Sequence, residues 1–489
     1  MKKLPIVYGA MLLTGVNLLL RFVGTSFQVY LSAKIGAEGI GLLQLVMSVG
    51  GMALVAGTAG IRTATMYLSA EELGRKTRKN LRWVLSGCLT YSIYISSLVG
   101  VFLYIFAPII AQGWIGNGNV TQALRLFACF LPVSCLTGVM VGYFTGVGRI
   151  GTLAVVEVLE QGCSMVCTIF LLTFWAGTNP VRACIAVILG SSIAGGFTLV
   201  SLMLLRLLDK DPKGPQIPVA RRLAQTAVPL AVADDLRTGI STLENLMVPK
   251  RLALFPGTVS ALAAFGTVCG MVFPVLMFPA ALLFGLTELL IPELARCRAA
   301  ESQQRIIHLV SKSLRFALLY GCLCAGILFL TARELGMGLY KSSDAGVYLS
   351  WFAPLAVLLY CDAVTDAMIK GLGQQTYSVR YNIFTNCMDV IFLYFLLPRY
   401  GIFGYFVSFL ITHMVNYLLS LGRLLKIVPV NFCLRDAAKA VMITIFSVRI
   451  AAIIQPVWWK VILFLTAESC LLLGTGVLRM EDLRLLRKK

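Results

Sequence analysis

The stretch Asp234–Arg251, DDLRTGISTLENLMVPKR, places charged residues inside a hydrophobic segment. This segment runs from about Leu223 to Met247, long enough to cross a bilayer as a helix. An ionisable group at membrane depth costs roughly 2.5–3.5 kcal/mol, so such groups face a bundle interior or a water-filled cavity. We therefore expect this helix to line a path for an anionic, membrane-embedded substrate. Its polar members are Asp234, Asp235, Arg237, Glu244 and Asn245.

Composition indicates an integral membrane protein. Of the 489 residues, 58% are hydrophobic and 13% are charged, and the mean hydropathy is +0.85. A soluble domain contains about 25% charged residues. Apolar runs of about 20 residues recur along the chain, which is typical of transmembrane helices and not of a β-barrel. The run after Lys2 and Lys3 extends to about Leu31, too long for a cleaved signal peptide, and is interpreted as the first helix.

The pattern predicts an all-α polytopic protein with about fourteen transmembrane helices. We expect Pro274, Pro279 and Pro292 to kink the long eighth run. The predicted spans are approximately 5–32, 41–69, 83–110, 123–146, 152–176, 183–205, 223–247, 260–294, 310–331, 347–369, 381–398, 403–422, 437–455 and 459–478.

Lysine and arginine are distributed unevenly between the two sides of these spans. With the N-terminus inside, the inner segments hold about three times as many as the outer segments, which places both termini in the cytoplasm. This bias explains the net charge of +20, so no nucleic-acid partner is inferred. The expected location is a cell membrane that the chain crosses many times.

Residue types that carry catalysis are scarce. The two histidines, His308 and His413, and 14 scattered cysteines without a Cys-x-x-Cys pair make a metal site or a catalytic triad improbable. No Walker A motif occurs, so we expect no ATP hydrolysis. The outer loops are short, which disfavours an enzyme. We expect no cofactor beyond a coupling ion of unknown identity.

The two halves of the chain align with each other. Gly146–Gly148 aligns with Gly371–Gly373 at an offset of 225 residues, and Ala59–Glu71 aligns with Leu289–Glu301 at an offset of 230. Because each copy contains an even number of spans, both copies have the same orientation. Such parallel repeats are related by a pseudo-twofold axis along the membrane normal, with substrate sites where the halves meet.

The repeat predicts three regions in the chain. Residues 1–208 form an N-lobe with spans one to six, and residues 209–425 form a C-lobe with spans seven to twelve. Residues 426–489 hold two extra helices and a basic tail.

Three arginines are candidates for a cationic pocket. Arg21 aligns with Arg237 in the repeat, and Arg62 approaches the inner mouth of span two. Guanidinium groups stay charged and bind phosphate through two parallel hydrogen bonds. Alternatively, Arg237 pairs with Asp234 or Asp235 in its own lobe. These two aspartates are also candidates for gating or ion coupling.

Other charged residues have two interpretations each. Glu244 serves as an outer gate or coupling group, or forms a plain pair with Lys250. Asp362, Asp366 and Lys370 follow one another at four-residue intervals, which favours local pairing on one helix face; the alternative is a cation site in the second lobe.

Several further charges are expected to hold helices together. Glu157 and Glu160 in span five, and Asp389 in span eleven, are interpreted in this way. Arg449 and Glu468 are predicted to form a pair between the last two helices.

Four motifs carry a resemblance to a known family. They are IGAEGIGLLQL (Ile35–Leu45), TAGIRTA (Thr58–Ala64), SAEE (Ser69–Glu72) and LENLMVPKRL (Leu243–Leu252). The chain resembles the stage V sporulation protein B branch of polysaccharide exporters over essentially its whole length. This branch belongs to the multidrug/oligosaccharidyl-lipid/polysaccharide exporter superfamily, in which the lipid II flippase is a relative.

The resemblance implies two six-helix lobes in a V, alternating access, and a cationic cavity between spans one, two, seven and eight. It also implies a groove for a polyprenyl tail beside the last two helices. Arg21 and Arg237 match positions of cavity charges in the family. The family motif commonly has proline where this chain has Arg62, so the chain departs from the family at this position.

These observations predict a flippase for a lipid-linked (polyprenyl pyrophosphate) oligosaccharide or cell-wall precursor, with Arg21, Arg62 and Arg237 as substrate ligands. The expected partners are this substrate and membrane lipids. One alternative is a cation-coupled multidrug antiporter of the same superfamily. Another is a non-transporting scaffold that binds wall-synthesis enzymes.

Overall fold

A computed structural model describes residues 6–74, 80–177, 179–208, 220–257, 260–430 and 434–476. These residues form helices and turns, and no strand occurs among them. The α-helices are α1 (Ile6–Thr58), α2 (Ile61–Gly74), α3 (Leu81–Ile109), α4 (Thr121–Gly146), α5 (Ile150–Leu171), α6 (Pro180–Leu207), α7 (Ala220–Leu252), α8 (Ala261–Thr267), α9 (Phe273–Met277), α10 (Ala280–Ala299), α11 (Gln303–Tyr340), α12 (Ser343–Phe352), α13 (Leu355–Gly371), α14 (Gln375–Ile427), α15 (Leu434–Ala451) and α16 (Val457–Gly474).

The prediction of an all-α polytopic membrane protein is confirmed. Within the described residues, eight helices are long and apolar enough to cross a membrane, or up to ten if each of two bent pairs counts as one span. The count of fourteen stays a prediction. Charged residues lower the hydropathy of α7, which is not among these eight helices.

The two longest helices are each interrupted at one glycine. Gly36 in α1 has φ 72° and ψ 176°, and Gly401 in α14 has φ 59° and ψ −139°. Only glycine adopts such conformations without a steric penalty, so each of these helices contains two successive segments. We call the segment of α1 after Gly36, together with α2, span two.

The predicted kink in the eighth run lies at Pro279. The segments before and after the break, α8–α9 and α10, meet at 62°, whereas α10 continues through Pro292. The break frees backbone carbonyls that lipid cannot satisfy. The hydroxyl of Tyr320 donates to the carbonyl of Pro279 at 2.8 Å, and that of Tyr360 donates to the carbonyl of Leu276 at 2.7 Å.

Contacts divide the chain into two compact units, Met1–Gly266 and Thr267–Lys489. Helix α7 therefore packs in the first unit, on α1 and α2, although the repeat pairs it with the second copy. The first unit has a large apolar core contributed by six of its helices. Representative members are Ile61, Val84, Phe144, Leu153, Leu202 and Leu223.

Each unit contains the same local backbone geometry at aligned positions. Gly148 and Gly373 follow the ends of α4 and α13 with φ 79° and 70°. In both turns the next amide donates to a carbonyl five residues earlier, at 2.9 Å and 3.0 Å. Gly177, before α6, has φ 58° and ψ −128°, close to the values of Gly401. These matched turns support an internal duplication.

The last two helices pack on α11 in the second unit. Phe464 of α16 is fully buried and lies against Gly326 of α11. Glu468 is buried and accepts a hydrogen bond from Thr444 of α15 at 3.0 Å. The predicted pair between Arg449 and Glu468 was wrong, because Arg449 lies on the exposed face of α15.

Candidate functional site

Helix α7 runs antiparallel to span two along a continuous contact. Near one end, Asn245 Nδ2 donates to Ser48 Oγ at 3.1 Å, and Thr242 Oγ1 donates to the Ser48 carbonyl at 3.2 Å. Further along, Gly239 lies opposite Met52. At the other end, α7 contacts the last turn of α2. These contacts therefore define the register of the charged residues of α7 along span two.

The three predicted arginine ligands lie on three segments of the first unit. Arg21 is on the first segment of α1, Arg62 is the second residue of α2, and Arg237 is near the middle of α7. All three side chains are exposed. Exposure is what a role in binding an anion requires, but a shared pocket stays a prediction.

Arg62 differs from the other two because acidic groups lie near it. Its guanidinium is close enough to Glu157 and Glu160 of α5 to interact with both carboxyls. The sequence predicts only that these two glutamates hold helices together. Their three-residue spacing places both on one face of α5, which was the available signal. The positive charge of Arg62 is therefore partly compensated by these two carboxyl groups of the same unit.

The aspartates of α7 do not neutralise Arg237. Among the described residues, Arg237 forms no ion pair with Asp234 or Asp235. Asp234 is exposed, whereas one oxygen of Asp235 is buried without a hydrogen-bond partner in the described part of the chain. Tyr91 of α3 lies near this carboxyl. The alternative of local pairing within α7 thus loses its support.

The C-terminal end of α7 is attached through a lysine. Lys250 donates from Nζ to the backbone carbonyl of Gly113 at 2.5 Å. Glu244, one turn and a half earlier, is half-buried. Its role as a gate stays a prediction.

The acidic candidates of the second unit are engaged by neutral groups and one lysine. Asp362 is buried and accepts two hydrogen bonds from Asn416 Nδ2, at 3.1 Å and 2.9 Å. His413 Nδ1 lies 3.8 Å from this carboxylate. Asp366 pairs with Lys370 at 2.5 Å and accepts a hydrogen bond from the Ser378 hydroxyl.

A second buried carboxylate of this unit is satisfied in the same way. Asp389 is 5% exposed and accepts hydrogen bonds from Ser408 at 2.5 Å and from Thr412 at 3.3 Å. These bonds join the two segments of α14 across Gly401. The arrangement fits the predicted role of Asp389 in holding helices together.

The bent helices, the apolar runs and the buried polar links describe a polytopic helical membrane protein. Solved structures of the multidrug/oligosaccharidyl-lipid/polysaccharide superfamily have a similar fold. The chain aligns with the lipid II flippase MurJ in an inward closed conformation, with a TM-score of 0.71, 12% identity and coverage of 96% of this chain and 98% of that one. An inward-facing multidrug transporter of the MATE family gives a TM-score of 0.66, 17% identity and coverage of 84% and 98%.

Sequence comparison confirms the resemblance to the sporulation branch. Stage V sporulation protein B of Bacillus subtilis (strain 168) is 24% identical over 93% of this chain and 90% of its own length. Sporulation protein YkvU of the same organism is 21% identical over 54% of this chain and 61% of its own length. No family model matches the chain.

Proposed function

We propose that the protein is a flippase that carries a lipid-linked oligosaccharide or cell-wall precursor across the bacterial plasma membrane by alternating access. The main support is a difference in coverage between the two structural parallels. The lipid II flippase aligns with 96% of this chain, whereas the multidrug transporter aligns with 84%. Similarity to stage V sporulation protein B over 93% of the chain points in the same direction.

In this proposal Arg21 and Arg237 hold the pyrophosphate of the substrate. Both guanidinium groups are exposed, and Arg237 has no ion pair with the aspartates beside it. A guanidinium offers paired donors that match phosphate oxygens. Arg62 is a weaker ligand because Glu157 and Glu160 compete with the phosphate for its charge.

The acidic residues take separate roles. Glu244 acts at the outer gate of α7, and Asp234 and Asp235 contribute to gating or ion coupling. Asp362 and Asp366 remain candidates for a coupling ion, although the bonds from Asn416 and Lys370 also fit a structural role. The protein moves its substrate across the membrane and does not change it chemically. Both termini lie in the cytoplasm. The proposed cycle uses no cofactor beyond the coupling ion.

Reconstitution into vesicles tests this function. Purified protein would be incorporated with a fluorescent polyprenyl pyrophosphate-linked sugar, and the arrival of probe on the far leaflet measured by chemical quenching. We expect the double variant Arg21→Glu, Arg237→Glu to lose translocation because carboxylates repel the pyrophosphate. The matched control is Arg399→Glu, because Arg399 is exposed and lies at the end of the first segment of α14, in the second unit. This variant should translocate the probe normally. Normal translocation by the double variant would refute the arginine site.

The multidrug antiporter is the second candidate, supported by its fold and 84% coverage. It predicts cation-dependent efflux of lipophilic dyes and no movement of the lipid-linked probe. A scaffold for wall-synthesis enzymes predicts that neither compound moves. The same vesicles, loaded with each compound in turn, separate the three possibilities.

A further inference from the structure

An ion cluster joins the first turn of α7 to the last turn of α2. Arg222 Nη1 donates to Glu72 Oε1 at 2.8 Å, and Arg222 Nη2 donates to Glu71 Oε2 at 2.7 Å. Asn80, immediately before α3, donates to the other oxygen of Glu72 at 2.9 Å. The Glu72 side chain is 2% exposed, so protein donors and not bulk water hold this carboxylate.

Both sides of the cluster stand at the unfavourable end of their own helix. Glu71 and Glu72 lie in the last turn of α2, where free carbonyls already carry partial negative charge. Arg222 lies in the first turn of α7, where free amides carry partial positive charge. Each charge destabilises the helix that carries it. Each is instead stabilised by the opposite charge on the other helix. The cluster is a tertiary link between two helices.

Further along α7, the described contacts with its neighbours include apolar packing and neutral hydrogen bonds. Leu223 and Ala227 pack into the apolar core, and Thr242 and Asn245 use neutral hydrogen bonds to Ser48. Opposite charges therefore meet at one end of this contact. Charge pairs weaken when they are hydrated, so entry of water or of competing ions would weaken the contact at this end.

We propose that Arg222, Glu71 and Glu72 form a latch that holds one end of α7 against α2, and that the latch opens once in each transport cycle. The inference rests on the proposed function, because alternating access requires the inner mouth to open and close. The hydrogen bonds to Ser48 stay closed and act as the pivot. Release of Arg222 swings the latch end of α7 away from span two.

Distances between spin labels test the opening directly. One label pair sits near the latch, at the exposed residues Tyr67 and Val228, and a reference pair sits near the pivot, at Met47 and Leu243. Cysteines that react with the label are first replaced. We expect Arg222→Gln to add a longer distance to the latch pair and to leave the pivot pair unchanged.

Two further variants keep this test independent of folding. Arg222→Lys retains the positive charge and should restore most of the short distance. Glu71→Gln alters the more exposed partner, 40% accessible, and should shift the latch pair in the same direction as Arg222→Gln. Latch distances equal to wild type in both Arg222→Gln and Glu71→Gln would overturn the proposal.

A reversible cross-link tests the need for opening. Arg222→Cys and Glu71→Cys would be joined by a bifunctional methanethiosulfonate reagent that reductant cleaves. We expect loss of translocation of the fluorescent lipid-linked sugar when joined and recovery after reduction. The reagent and the reductant should leave the rate that each single-cysteine variant shows before treatment unaltered. Full translocation by completely joined protein would overturn the latch. If wild type moves no lipid-linked sugar, the proposed function fails, while the spin-label distances still decide whether the latch opens.

Discussion

The two units bear their charged side chains in opposite ways. In the first unit, Arg21, Arg62 and Arg237 are exposed. In the second unit, Asp362 and Asp389 are buried and receive hydrogen bonds from neutral amide and hydroxyl donors. Burial of a charge is tolerated only when such donors replace water. The two buried acids of the second unit thus link helices internally, whereas the three arginines of the first unit lie at its surface.

Substituting one asparagine in each unit would test this contrast, and we expect the largest effect here. Asn416→Ala removes both hydrogen bonds to the buried Asp362 and leaves its carboxylate undersatisfied, at a cost of about 3 kcal/mol. Asn245→Ala removes one bond to the half-buried Ser48 hydroxyl, which water can replace, at about 0.5–1 kcal/mol. Thermal unfolding of the purified proteins in detergent measures both. Equal shifts would show that burial does not distinguish the units.

A second prediction concerns the helices that only the second unit carries. A Cβ atom at Gly326 would lie 2.1 Å from the Phe464 ring, so Gly326→Ala should displace α16 from α11. Overpacking of this kind costs about 1–3 kcal/mol. Gly338→Ala, in the same helix with nothing within 4 Å of the added atom, is the matched control and should be neutral or slightly stabilising. Protease cleavage between α15 and α16 reports the displacement.

The smallest effect is expected from substitutions in the two aligned turns, one in each unit. Gly148→Ala and Gly373→Ala both force alanine into a left-handed conformation, which costs about 1 kcal/mol. The cost at Gly373 should be larger, because Arg298, which donates to the Leu372 carbonyl, occupies the space of the new methyl group. Unfolding midpoints in detergent compare the two. A larger loss at Gly148 would contradict the assigned environments.

Sequence predicts features that repeat along one helix or between the two copies. The Asp366–Lys370 pair follows from local spacing, since four residues make about one helical turn. The matched Gly-x-Gly motifs indicate the duplication. The all-α fold follows from hydrophobic runs of membrane length. The three exposed arginines stand out because charge is rare in such runs.

Contacts between distant residues leave no comparable signal. Asn416 bonds to Asp362 across 54 residues, and Arg222 bonds to Glu72 across 150. Span alignment places α7 in the second copy, but its packing surface matches span two of the first unit. The packing of α7 depends on how its surface fits the surface of span two. The pattern of hydrophobic and charged residues along the sequence does not predict this fit. For the same reason, the acids near Arg62 were not recognised as its neighbours.

The bend at Pro279 has a mechanical consequence. Tyr320 and Tyr360 stack with ring centroids 6.0 Å apart while their hydroxyls cover the two carbonyls released at the bend. Straightening the helix would strip both phenols of their acceptors inside an apolar medium. The two phenols therefore oppose straightening at Pro279, so the bent geometry is favoured over a continuous helix at this place.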